Sequence, residues 1–172
     1  LVGSEMCIRD RSVTAAHLQQ AGGHLRELAD HLGSLEARTG RRIVVAIEPE
    51  PGCILDTTDD VIEWFDEHLP DDNHRRYLTV CHDICHSAVM MEPQQEVLRR
   101  FAAANISIGK VQVSCAVVAD WQSMMAADRV EALEQLSGFA EDRYLHQTGR
   151  RNGTGQFSLA EDLPELIREA AQ

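Results

Sequence analysis

The apolar positions of this chain fall into helical and extended stretches that follow one another with little between them. Over residues 13–38, Leu18, Leu25, Leu28, Leu32 and Leu35 recur at steps of seven, three, four and three, which is one stripe along a helix. Gly40 closes that helix, with Arg38, Arg41 and Arg42 near the negative end of its dipole. A continuous apolar run follows from Ile43 to Ile47. A run without polar alternation predicts a strand buried on both faces, as in parallel sheets. Glu48-Pro49-Glu50-Pro51-Gly52 ends it, because proline cannot donate to a strand ladder. Thr57 or Thr58 can then cap a helix over 59–68, which stops before Pro70.

The same alternation continues. Tyr77 to Asp83 predicts a second strand, and Pro93 opens a helix over 93–104 with Val97, Leu98 and Phe101 on its apolar face. A third strand is expected over 106–115 and a helix over 128–140. A fourth strand runs from Arg143 to Thr148, and a turn rich in glycine (Gly149, Gly153, Gly155) leads to a last helix over 159–171, with Leu159, Leu163, Leu166 and Ile167 inward. Strict alternation of this kind predicts an α/β fold with about four parallel strands, either half of an eight-stranded barrel or a small open sheet. No linker, repeat or low-complexity segment divides the chain.

Charge narrows the partners. The 172 residues carry a formal net charge of −12, which disfavours nucleic acid and favours small molecules or proteins. No run of 18 apolar residues is present, so no membrane span is expected. The five cysteines are odd in number and follow no secretory signal, so a disulfide framework is not expected and a reducing cytoplasm is. Residues 1–12 show no periodicity, and Leu1 to Arg11 resembles the translated adapter tails found at the ends of some gene fragments. They are read as a non-native tail, leaving 13–172 as the domain.

In parallel βα folds the chemistry gathers at the C-terminal ends of the strands. All four predicted ends carry coordinating side chains directly after an apolar strand core: Glu48 and Glu50; Asp83 and His86; Gln112 and Ser114; His146 and Gln147. Loop polarity alone explains any one of them, and Glu48 and Glu50 can both be solvated; the repetition at four ends favours a site. Within Cys81-His82-Asp83-Ile84-Cys85-His86, a Cys/His zinc site is disfavoured, because alternation along a strand puts His82 on the face opposite Cys81. Asp83 and His86 together suit zinc, manganese or another divalent ion with open positions for substrate. Cys81 and Cys85 are then small buried side chains. His17, His24 and His31 are two helical turns apart, about 10 Å, too far to share one ion.

These motifs resemble the xylose isomerase-like TIM-barrel superfamily of sugar-phosphate isomerases and epimerases and endonuclease IV-type enzymes, over residues 40–150. The phrases IEPEPGC, DICHSAV, KVQVSCA and DRYLHQT are similar, in that order, to its EboE metabolite-traffic subgroup. The resemblance implies a partial (β/α)8 TIM barrel truncated at both ends. It implies metal contacts for Glu48, Asp83, His86 and Gln112. Glu50 or His146 would be the acid/base, and Ser114 and Gln147 would touch a sugar-like or polyol substrate. Gln112 departs from the more usual His and can instead bind a sugar hydroxyl.

The reading that follows is a fragment of a metal-dependent isomerase or epimerase, with activity expected of the full-length protein and not of the fragment by itself. A non-catalytic metabolite binder or carrier on the same scaffold is the alternative. DNA repair, the third function in view, is disfavoured by the acidic charge.

Overall fold

The computed structural model describes residues 13–140 and 146–170. The tail assigned to residues 1–12, residues 143–145 of the expected fourth strand and position 171 of the last helix lie outside the described residues.

Helix α1 spans Ala15–Thr39, capped by Thr14 in a capping box with His17 and ended by Gly40. Its buried face is set by Gly22, Ala29 and Leu32, whereas Leu28 is exposed. The leucine stripe had omitted the small residues, which let the next helix come close. A Cβ at Gly22 would lie 2.9 Å from His68 Cβ. There Arg26 Nη1 donates to the His68 carbonyl at 2.6 Å and satisfies the end of helix α2, Thr58–His68. Thr57 is the α2 cap, in a reciprocal box with Asp60. His17, His24 and His31 line the solvated side of α1.

Strand β1 is short, Val45–Ile47. A four-residue turn of helix α3, Asp72–Arg75, leads into strand β2, Leu78–Asp83. Helix α4, Ile84–Val89, starts on the next residue, with Asp83 as its N-cap. Helix α5 is Gln94–Ala103 and strand β3 is Ile108–Gln112. The three strands form one parallel sheet in the order β1-β2-β3. Leu78 and Val80 pack on Val61, Trp64, Phe65 and Leu69 near α2, and on Val97, Phe101 and Ile106 near α5, to make the core. Full burial of each of these large side chains contributes about 1.5–3 kcal/mol.

The register shifts between Val80 and Cys81. Ile108 lies opposite Val80, but Lys110 lies opposite Cys81 and Gln112 opposite Asp83. The extra residue, Gly109, faces the Thr79 side chain so closely that a Cβ would meet Thr79 Oγ1 at 2.1 Å. This bulge is what brings the Gln112 side chain level with Asp83.

Among the described residues the expected partial barrel is not formed. In the described residues helix α6, Ala126–Ser137, is followed not by a fourth parallel strand but by an antiparallel hairpin, β4 at Thr148–Arg151 and β5 at Phe157–Ala160. Only Thr148 of the expected strand belongs to β4. The cause is the turn. Asn152 Oδ1 accepts from the backbone N–H of Thr154 at 3.0 Å and of Gln156 at 2.9 Å, while Asn152 N donates to the Gln156 carbonyl. A closed turn of this kind pairs its two flanks with each other and leaves none for the parallel sheet. Leu159 therefore lies in β5, and helix α7 starts later, at Leu163–Ala170, with Leu163 buried. The chain is thus a mixed α/β fold of a three-stranded parallel sheet and a two-stranded antiparallel one. Among the described residues no helix is long and apolar enough to cross a membrane.

Candidate metal centre

Glu48 stands one residue beyond β1, Asp83 ends β2, and His86 projects from the first turn of α4. His86 was expected on a loop. The helix begins at once because the Asp83 carboxylate caps it, Oδ1 accepting from Cys85 N at 2.8 Å and from His86 N at 3.4 Å. One ligand atom from each of Glu48, Asp83 and His86 lies within 4.8 Å of the other two. Glu48 is exposed and the other two are half-buried, so the group is open to solvent on one side.

The end of β3 fastens this group. Gln112 Nε2 donates to Glu48 Oε1 at 2.5 Å and to Asp83 Oδ2 at 2.8 Å. Lys110 Nζ donates to Gln112 Oε1 at 3.0 Å, which orients the amide so that its NH2 faces both carboxylates. The Ser114 hydroxyl donates to Asp83 Oδ1 at 2.5 Å and accepts from Cys85 N at 2.9 Å. His86 Nδ1 is 2.9 Å from the Pro49 carbonyl and 3.7 Å from Glu48 Oε1. A carbonyl can only accept, so Nδ1 carries a proton and, in the neutral ring, Nε2 keeps its lone pair.

Electrostatics follow from these contacts. Burial pushes the Asp83 carboxyl up, but the Ser114 hydroxyl, the neighbouring His86 imidazole and the α4 N–H groups outweigh it and hold the group below the usual carboxylate range. Burial, then the Glu48 carboxylate, pushes the Cys81 thiol up. Cys81 is fully buried as expected; Cys85 is only half-buried, because it sits on α4 rather than on the strand.

The other expected site residues lie in two further places. Gln147 Nε2 donates to Glu50 Oε1 at 3.1 Å and lies 3.4 Å from the Pro51 carbonyl, so the hairpin is tied to the Glu48–Gly52 loop. His146 pairs with Asp162 instead, its backbone N–H donating to Asp162 Oδ1 at 2.9 Å and its Nδ1 lying 3.6 Å away. Glu48, Asp83, His86, Gln112 and Ser114 are brought together; Glu50 and Gln147 form a neighbouring pair; His146 belongs to neither.

A small cavity of about 20 Å3 reaches from the site toward the helices, lined by Pro49, Asp83 and His86 and by Asp56, which the sequence reading missed. Burial, then the hydrogen bond and charge of Asp60, raises the Asp56 carboxyl to about 6. The available signal was an acid on either side of the Thr57 cap, Asp56 just before it and Asp60 in the first turn of α2.

A donor set of two carboxylates and one imidazole fits a divalent ion of hard or borderline character, such as manganese or zinc. The His86–Pro49 hydrogen bond is the outer contact that metal-ligating histidines ordinarily make. Comparison of the chain with family models, curated proteins and solved structures finds no match.

Proposed function

We propose that the chain binds a divalent cation through Glu48, Asp83 and His86 and serves isomerase- or epimerase-type chemistry on a sugar-like or polyol substrate. The observation that carries the cation is the convergence of the three side chains within 4.8 Å, each from a different strand end or helix start. The bound ion would polarise a substrate carbonyl or hydroxyl. The chain's own residues do the rest. Ser114 and Gln112 hold the Asp83 carboxylate in position. Glu50, beside Gln147, is the carboxylate assigned to proton transfer, and Gln147 supplies the amide for a substrate hydroxyl. The substrate class and the metabolite-traffic setting rest on the sequence motifs IEPEPGC, DICHSAV and KVQVSCA.

The test is proton exchange. The chain, loaded with Mn2+, is incubated in D2O with a panel of aldoses, ketoses and their phosphates. Deuterium incorporation next to the carbonyl, abolished by chelator and by Glu50→Gln, is the expected result. Ligand binding with no exchange for any member of the panel would instead establish the carrier reading.

A further inference from the structure

On the face of β2 opposite Asp83 a second set of polar side chains is buried, and its purpose is not obvious from the fold. His82 and Ser87 are 6% and 8% exposed. His82 Nε2 lies 2.8 Å from Gln94 Oε1, and Gln94 Nε2 lies 2.8 Å from Ser87 Oγ and 3.3 Å from the Ile84 carbonyl. The Ser87 hydroxyl lies 3.1 Å from the Asp83 carbonyl. The Ile84 carbonyl can only accept, so the Gln94 amide is oriented with its NH2 toward α4 and its oxygen toward His82. His82 Nε2 is then the donor, and the proton direction is fixed from His82 to Ser87. His82 donates to Gln94 and Gln94 donates to Ser87, whose hydroxyl proton is shared among the Asp83 carbonyl and Gln94 Oε1, each at 3.1 Å, and the Ile84 carbonyl at 3.3 Å.

The three side chains come from β2, α4 and α5, and they meet under the strand-to-helix junction that carries Asp83 and His86. Helix α4 has six residues, and the one it buries is Ser87. Its orientation is therefore set by a polar chain more than by apolar packing. Asp83 and His86 are the two ligand-type residues whose separation depends on that orientation.

We propose that Gln94, with His82 and Ser87, is a positioning chain that sets the spacing of Asp83 and His86 for a divalent cation. This rests on the cation reading above. Outer contacts of this kind typically change metal affinity by about 10- to 100-fold.

The test uses Gln94→Met, which keeps the side-chain length and removes the hydrogen bonds to His82, Ser87 and the Ile84 carbonyl, and Ser87→Ala. Mn2+ affinity is measured by electron paramagnetic resonance of the free ion, and ligand geometry by the visible absorption of bound Co2+. Each variant is expected to lose about tenfold or more in Mn2+ affinity and to shift the Co2+ bands, with the far-ultraviolet circular dichroism unchanged. The double variant is expected to be no weaker than the weaker single one, because both interrupt one chain. If Gln94→Met does not fold, Ser87→Ala carries the same test. Wild-type affinity and an unshifted Co2+ spectrum in the folded variants would overturn the proposal while leaving the cation reading intact. A wild-type chain that takes up no Mn2+ would overturn both.

Discussion

Ser114 donates its hydroxyl proton to Asp83 Oδ1 at 2.5 Å, from a segment that has already left the β3 ladder. The contact joins the third strand end to the second and offsets the cost of burying the Asp83 charge. Ser114→Ala leaves Cys85 N bonded to Asp83 but removes the donor. Hydrogen bonds to charged groups are worth about 1.5–3 kcal/mol when well buried. Asp83 is half-buried, so a loss of about 1 kcal/mol is expected, read as a lower urea midpoint at unchanged slope. An unchanged midpoint would mean that solvent replaces the hydroxyl at no cost.

Asp56 should make stability fall with rising pH. Its folded value, about 6, lies above the ordinary 3.8, so the folded state holds a proton that the unfolded state has lost between those values. The stability cost is therefore absent below the ordinary value, grows across this window and is complete above the folded value. Asp56→Asn removes the titration. The variant should match the wild type or fall below it at pH 3.5 and gain relative to it as the pH rises to 7, as measured by denaturant midpoints. A constant difference across that range would remove Asp56 from the account.

Gly149 tests the placement of the hairpin. A Cβ there would lie 1.9 Å from the Val89 carbonyl oxygen, at the end of α4, and 3.0 Å from the Phe157 ring. Neither backbone can give way without moving β4 or α4. Gly149→Ala should cost about 1–3 kcal/mol, the range for overpacking, and shift amide resonances in both β4 and α4. Shifts confined to the hairpin would contradict this packing.

Arg75 closes the base of the core. Its guanidinium donates to the Leu69 carbonyl at 2.6 Å, the Ala104 carbonyl at 2.9 Å and Asp66 at 2.7 Å, and lies 5.9 Å from the Phe65 ring centroid. Lysine keeps the charge but cannot serve three acceptors in this fork. Arg75→Lys should cost about 1–3 kcal/mol by leaving the end carbonyls of α2 and α5 with poorer partners. A thermal midpoint equal to that of the wild type would show that lysine reaches them.

Sequence pattern exposed the parallel part of the fold because β1 and most of β2 are apolar and the intervening helices have caps and stripes that read locally; β3, with only Ile108 and Val111 apolar, followed from its place in the alternation. Asp83 and His86 were legible because an acid at the end of an apolar strand core is followed three residues later by an imidazole; that the two lie at a helix cap was not. Helix α4 itself was hidden, since it follows β2 with no spacer and buries a serine in place of an apolar stripe. The hairpin was hidden because Asn152 to Gly155 is equally at home in the loop before a helix; its decisive feature is the pair of backbone bonds to Asn152 Oδ1. The Gly109 bulge, which aligns Gln112 with Asp83, is a pairing between strands, and no local pattern carries it.

The most direct test of the centre is a calorimetric titration of the chain with Mn2+, beside Asp83→Asn and His86→Ala. One ion per chain is expected for the wild type, with affinity reduced at least tenfold in each variant. Binding that is absent, or that persists undiminished in both folded variants, would contradict a cation held by Glu48, Asp83 and His86.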